Sequence, residues 1–254
     1  MTFSSLLALS KNTFRETIRD RILYTIVFFG ILMVLSSKLM ADLSARADDK
    51  VLVDFGFAMI HIFGIIISIF VGTQLIARET EGKTIMLLLS KPISPATFVI
   101  SKFLGLGSVL AILTLIMGGI FFILAPFQPV YLLVLLGMFL SFLFLLALSL
   151  FFSSFLSPLL AAFSTLLIFV LGNITDDFYA FVTYMKEGVS GVFYWVGWGT
   201  YHFFPNFENI NWKNAVVYGI DFSSFDMAIG VLVTILYIAL LTFGAVKFFE
   251  KKEF

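Results

Sequence analysis

No cysteine occurs in the 254 residues, so disulfides, thiolate ligands and thiol nucleophiles are all excluded. Charge is scarce as well: Asp, Glu, Lys and Arg make up 13% of the chain, where soluble domains carry about a quarter. The 16 basic and 16 acidic residues cancel, which leaves no net positive field to attract a nucleic acid. Histidine is nearly missing; His61 and His202 are the only two, a poor donor set for copper or zinc without cysteine beside them. What the chain has in quantity is apolar: 60% hydrophobic residues, 33 phenylalanines and a mean hydropathy of +1.06. One globule of this size has too little polar surface to hide them from water. A soluble enzyme, a nucleic-acid binder and a disordered tail are excluded. The balance is that of an integral membrane protein.

A helix crosses the hydrocarbon core with about 20 mostly apolar residues. Ile22 to Ser37 offers a first, marginal block, extended to Met40 if Lys38 carries its ammonium to the interface. Its charged leader of 21 residues favours a span over a cleaved signal peptide. Phe55 to Ala77 fits one crossing. Phe103 to Thr175 contains no charged residue over 73 positions, and as one helix it would run about 110 Å. It must fold back, and prolines mark the turns: Pro126-Phe127-Gln128-Pro129, then Ser153 to Pro158. Met227 to Val246 is a further crossing. The chain therefore reads as one all-α transmembrane domain over 1–254. Its spans fall near 22–40, 55–77, 103–125, 131–153, 158–175 and 227–246, a six-span polytopic helical bundle whose fifth span is the shortest. A β-barrel is excluded because the apolar runs are continuous rather than alternating.

Orientation follows from the basic residues of the short loops. With the N-terminus in the cytoplasm, 11 Lys and Arg fall inside and 5 outside, while 6 acidic residues fall inside and 10 outside. Both termini are therefore expected in the cytoplasm, and the protein in the cell inner membrane.

Three segments lie outside the spans and carry information. Residues 1–21 place Phe3, Leu7, Phe14 and Ile18 in one sector of a helix, the pattern of an interfacial helix on the cytoplasmic surface. The cytoplasmic loop 78–102 contains Gly82-Lys83-Thr84, which looks like the end of a phosphate-binding loop. Ala77 stands where the first glycine should be, and Glu79 and Glu81 would repel the phosphates. No nucleotide site is expected, and no catalytic site elsewhere. The loop reads instead as a helix continuing out of the second span, a turn at Gly82 and a short apolar helix from Thr84 to Leu89. Lys91-Pro92 ends that helix and Ser94 can cap the next turn. This short helix either docks on a partner or lies in the headgroups.

The outer segment 176–226 holds all three tryptophans (Trp195, Trp198, Trp212) and five of the eight tyrosines. Residues 178–204 read as interfacial or partly re-entrant helices, followed by a Pro205-Asn206 turn. Trp195, Trp198, Tyr201, Pro205 and Asn206 form either an outer gate or an aromatic belt facing membrane lipid. Gln74, Asn173 and Thr73 are the polar span residues expected to face the bundle interior. No charged residue sits at mid-membrane depth, which counts against an ion-coupled carrier.

These features resemble the permease subunit of an ATP-binding-cassette transporter of the type 2 family. The resemblance is strongest from Ile76-Ala77-Arg78-Glu79-Thr80-Glu81-Gly82-Lys83-Thr84 through Leu89-Ser90-Lys91-Pro92-Ile93-Ser94, then Lys102-Phe103-Leu104-Gly105. That stretch is similar to the family's R-E-x-E-x-G-[TK] and L-[ST]-[KR]-P-[IV]-[ST] elements. Phe204 to Asn209 and Lys213 to Gly219 are similar to the outer loop of one branch, which includes the nitrous-oxide-reductase maturation and gliding-motility permeases.

The resemblance implies that 79–90 is a coupling helix docking into a separate ATPase subunit. Arg78, Glu79, Glu81, Gly82, Lys83, Thr84, Met86 and Lys91 would make that contact. It also implies a second permease copy, identical or not, and ATP and Mg held by the partner ATPase, with no cofactor on this chain. The expected function is the membrane-spanning permease subunit of an ATP-driven exporter. A secondary carrier and a non-transporting membrane scaffold or assembly factor are the alternatives.

Overall fold

The computed structural model describes residues 3–18, 23–43, 50–81, 94–125, 127–184, 191–203, 205–219 and 223–251. Among them there is no strand, and the elements are helices in series. They are α1 (Phe3–Thr17), α2 (Leu23–Leu43), α3 (Lys50–Glu81), α4 (Pro95–Leu124), α5 (Tyr131–Ser153), α6 (Pro158–Tyr184), α7 (Gly191–Phe203), a single 3-10 turn at Glu208–Ile210, α8 (Lys213–Tyr218) and α9 (Ser224–Glu250). Five stretches are long and apolar enough to cross a membrane: Lys50–Ala77, Pro95–Leu124, Tyr131–Ser153, Pro158–Thr175 and Ser224–Glu250. The block expected as the first span lies in α2, whose described apolar stretch, Ile26–Ser36, is shorter than these five.

Most helices run past the span limits read from hydropathy. α4 starts at Pro95 rather than 103, because Pro95 stands in the first turn and Ser94 caps it, its hydroxyl oxygen accepting from the Thr97 N–H at 3.2 Å. α6 continues nine residues past Thr175 to Tyr184. Charge ends a hydrophobic run but not a hydrogen-bonded ladder, so Lys102 and Asp177 sit inside helices. Only α5 matches its expected limits, 131–153, because a proline turn closes it at either end.

α5 is the centre of the bundle, with two-thirds of its span buried. Its ends show how the chain folds back. Tyr131, at its start, meets Phe57 of α3 edge-on at 5.4 Å and Phe121 near the end of α4 at 6.5 Å. Phe151, at its finish, meets Phe248 near the end of α9 at 5.7 Å. α3, α5 and α9 therefore run one way and α4 the other.

The tightest seam joins α3 to α5 and is built from small residues. Ser149 Oγ donates to the Ser68 carbonyl at 3.3 Å and Ser153 Oγ to the Thr73 carbonyl at 2.7 Å. A Cβ on Gly72 would meet the Ser149 Cβ at 2.9 Å, so the two backbones are as close as glycine allows. Thr73 faces this seam, 2% exposed, but Gln74 is exposed on another side of α3. Neighbours on a helix point about 100° apart, and the step from Thr73 to Gln74 leaves the buried face.

α1 packs on the start of α4, and not by the expected stripe. Phe14 and Ile18 reach the core, but Leu7 is half exposed, and Thr13 and Thr17 are the buried residues. Thr13 and the Ser10 carbonyl lie against Gly105 of α4, where a larger side chain would not fit.

Candidate functional site

The two ends of α3 carry the residues singled out from sequence. At the end that leads into the loop, Ile76 and Ala77 are buried in the core, and Arg78, Glu79, Thr80 and Glu81 continue the same helix without a break. Their side chains, and Gly82, Lys83, Thr84, Met86 and Lys91 altogether, lie outside the described residues. The helix expected at Thr84 to Leu89 lies outside them too. The chain re-enters at Ser94, and close by Phe98 stacks on Phe249 of α9 at 5.0 Å with the rings 16° apart. Lys102 is buried one turn on, its ammonium 5.7 Å from the Phe98 ring centroid. α1, the start of α4 and the end of α9 thus pack together where the chain leaves the loop at Ser94.

At the other end, the expected outer group divides in two. Trp195, Trp198 and Tyr201 stand on α7, 66%, 42% and 37% exposed. Trp195 meets Trp198 edge-on at 5.8 Å, and Tyr201 stacks on Tyr179 of α6 at 4.6 Å. α7 leans on α6 where Gly197 meets Val182.

Pro205 and Asn206 instead open a segment, 205–218, that is set into the bundle. Asn206 Oδ1 accepts from the Glu208 N–H at 2.8 Å and starts the 3-10 turn. Phe207 then enters the core, 3% exposed, edge-on to Phe144 of α5 at 4.9 Å and to Phe169 of α6 at 5.2 Å. Ile210 and Trp212 follow it inward. The Trp212 indole donates to the Asn209 carbonyl at 3.2 Å. α8 ends at Gly219, whose φ of +68° is the left-handed conformation that closes a helix and suits glycine.

Three glycines on three helices make room for this segment. A Cβ on Gly172 of α6 would strike the Pro205 carbonyl, one on Gly230 of α9 the Asn209 carbonyl, and one on Gly137 of α5 the Ile210 carbonyl. The Phe207 N–H also donates to the Gly172 carbonyl at 3.3 Å. α3 is tied in by charge, with the Lys213 ammonium 2.9 Å from the Asp54 carboxylate. Beneath lies a small cavity lined by His61, Ser141, Asn173, Asn211 and Lys213 among apolar neighbours. Asn173 donates to its own helix, to the Phe169 carbonyl at 2.7 Å, and His61 Nε2 is buried without a protein partner.

Sequence reading marked Pro205 and Asn206 as site residues, met Phe207 and Lys213 only within family-like segments without a role, and did not single out Ile210 or Asp54. Isolated apolar residues in a loop have no period to detect, and the two charges stand 159 positions apart. Among the described residues no group of three His, Cys, Asp or Glu is placed to hold a metal. The side chains that meet here pack, pin and line a small cavity.

The family model for the ABC-2 family transporter protein matches residues 7–253. No curated protein shows significant similarity to the chain. An all-helical bundle with five apolar helices long enough to cross a membrane, matched almost from end to end by that family model, places the chain in the ABC-2 transporter family as a multi-pass membrane permease subunit of an ABC transporter.

Proposed function

We propose that the chain is the membrane half of an ATP-driven exporter of the inner membrane, with α2 as a sixth span and both termini cytoplasmic. The observation that carries this reading is the continuity of α3 from Lys50 to Glu81. A loop rooted on a helix that is itself locked into the core at Ile76 passes movement to the bundle instead of absorbing it. Membership of the family implies a partner ABC ATPase. In this reading 79–90 docks on that partner. Glu79 and Glu81 make contacts, Gly82 acts as the turn, and Arg78, Lys83, Thr84, Met86 and Lys91 complete the surface. ATP and Mg belong to the ATPase, this chain contributes no catalytic group or cofactor, and a second permease copy completes the path.

The motif 204–219 supports the branch that includes the nitrous-oxide-reductase maturation and gliding-motility permeases. α1 lies along the cytoplasmic surface. Trp195, Trp198 and Tyr201 serve as a lipid-facing belt, since exposed Trp and Tyr settle at membrane interfaces, whereas Pro205 and Asn206 belong to the path's outer closure. The test is the double variant Glu79→Ala with Gly82→Pro, reconstituted with the ATPase. The bundle should stay folded and the permease-dependent share of ATP hydrolysis should disappear. Unchanged permease-dependent hydrolysis would overturn the docking assignment.

A further inference from the structure

We propose that the groove between the outer halves of α5 and α9 is a seat for one acyl chain of an outer-leaflet phospholipid, with Trp212 at its edge. This goes beyond the permease reading and rests only on the membrane placement of the helices and on their proposed orientation.

α9 explains why the groove exists. Ala228, Val231, Ile235, Thr242, Val246 and Phe249 follow one another at spacings of three, four or seven positions, so they form one stripe along the helix. Toward the cytoplasmic end that stripe is closed. Val246 and Phe249 are 7% and 3% exposed, and Phe249 stacks on Phe98 of α4 at 5.0 Å. Toward the outer end the stripe stands open, with Ile235 55% exposed. Beside it, Leu133 and Leu136 are 38% and 48% exposed, although α5 is the most buried of the five spans. With Trp212, Met227 and Leu232 these residues line a groove of about 680 Å³, within the range of about 300–1,000 Å³ typical of small-molecule sites. Apart from Ser224 at its mouth and the Trp212 indole, the lining is aliphatic side chains and one methionine. The indole nitrogen is itself committed to the Asn209 carbonyl at 3.2 Å.

Three observations select an acyl chain as the occupant. The first is depth. Ser224 and Ile235 bound the groove on α9 and lie 11 residues apart, about 16 Å at 1.5 Å per residue. Half of the hydrocarbon core is about 15 Å, so the groove runs from the interface to the midplane, the reach of one leaflet's chains. The second is chemistry. Below Ser224 the lining offers no uncommitted donor or acceptor, so a polar ligand would give up its hydrogen bonds to water without replacement. The third is the closed inner half. A spanning helix of a second copy would need the stripe open across the whole core, and Val246 and Phe249 are already covered. A phospholipid meets all three conditions, because its headgroup stays in the interface near Ser224 while one tail fills the groove.

Trp212 is a built-in reporter. Trp195→Phe with Trp198→Phe leaves it as the single tryptophan of the chain. The permease alone is reconstituted into dioleoyl phosphatidylcholine vesicles containing rising shares of the same lipid with dibrominated chains, since bromine quenches indole fluorescence on contact. Trp212 should be quenched although it is only 6% exposed within the protein. Ala228→Phe, and independently Ser224→Phe, fill the groove and should each remove most of that quenching. Leu240→Ala changes an exposed α9 residue outside the groove and should leave the quenching as it was. Each variant is first verified as monodisperse and helical. A Trp212 that brominated lipid does not quench would overturn the proposal and point to a protein segment, such as one from a second copy, as the occupant. Quenching that survives both groove-filling variants would overturn it as well, because bulk lipid would then reach Trp212 by another route. No ATPase is present, so failure of the ATP-driven reading would leave this quenching pattern unchanged.

Discussion

Gly72 of α3 and Ser153 of α5 stand on opposite sides of the same seam and make opposite demands on it. Ser153 contributes one hydrogen bond to α3, and such interhelical bonds contribute about 0.6 kcal/mol inside membranes. Gly72 contributes only its lack of a side chain, yet a Cβ there would press on Ser149 at 2.9 Å, and overpacking costs about 1–3 kcal/mol. Gly72→Ala is therefore expected to lower the detergent melting temperature clearly more than Ser153→Ala. A calorimetric or tryptophan-fluorescence melt of the two variants side by side checks the order. Composition and spacing revealed that Thr73 lies in a span and that Pro205-Asn206 starts a turn. They did not reveal which face of α3 meets α5, so Gln74 was expected inside and stands outside. The Asp54–Lys213 pair was equally illegible, because nothing local to either residue points to the other.

Helices, as elements, follow hydrogen bonding, whereas their reading from sequence follows hydropathy. That is why α5, closed by prolines, was legible to the residue, and why α4 and α6 extend eight and nine residues past their apolar limits. α3 carries the largest consequence. Its last turn, Arg78 to Glu81, leaves the core as helix, and a helix transmits axial movement that two inserted glycines would absorb. Gly-Gly inserted after Ala77 is expected to leave the bundle's melting temperature within a degree or two of the parent. It should nevertheless abolish the permease-dependent ATP hydrolysis of the reconstituted complex. Retained coupling would mean that α3 is not the transmitting element. α1 offers an independent case. It leans on Gly105 through Thr13 and the Ser10 carbonyl, so Gly105→Val should release it. Trypsin should then cut at Lys11 and Arg15 faster than in the parent, with the rest of the chain still resistant.

For the whole molecule, direction is set by charge bias: 11 basic residues on the proposed cytoplasmic side and 5 on the other. Two exposed positions report on it in a cysteine-free background, Asn214 on α8 and Lys251 after α9. Asn214→Cys should react with an impermeant maleimide from outside intact cells, and Lys251→Cys only after the membrane is opened. The reverse pattern would invert the topology. Class and bundle were legible from composition because a bilayer tolerates few solutions. The seating of residues 205–218 was not, because it depends on contacts among four helices and a loop that are scattered along the sequence.

The central claim is that this bundle is one part of an ATP-driven machine. Purification of the intact chain from its native membrane in mild detergent, followed by identification of what elutes with it, tests that claim most directly. The account predicts a soluble subunit in stoichiometric amount carrying G-x-x-x-x-G-K-[ST], lost when 79–90 is altered. A monodisperse chain that elutes without any such subunit would contradict it.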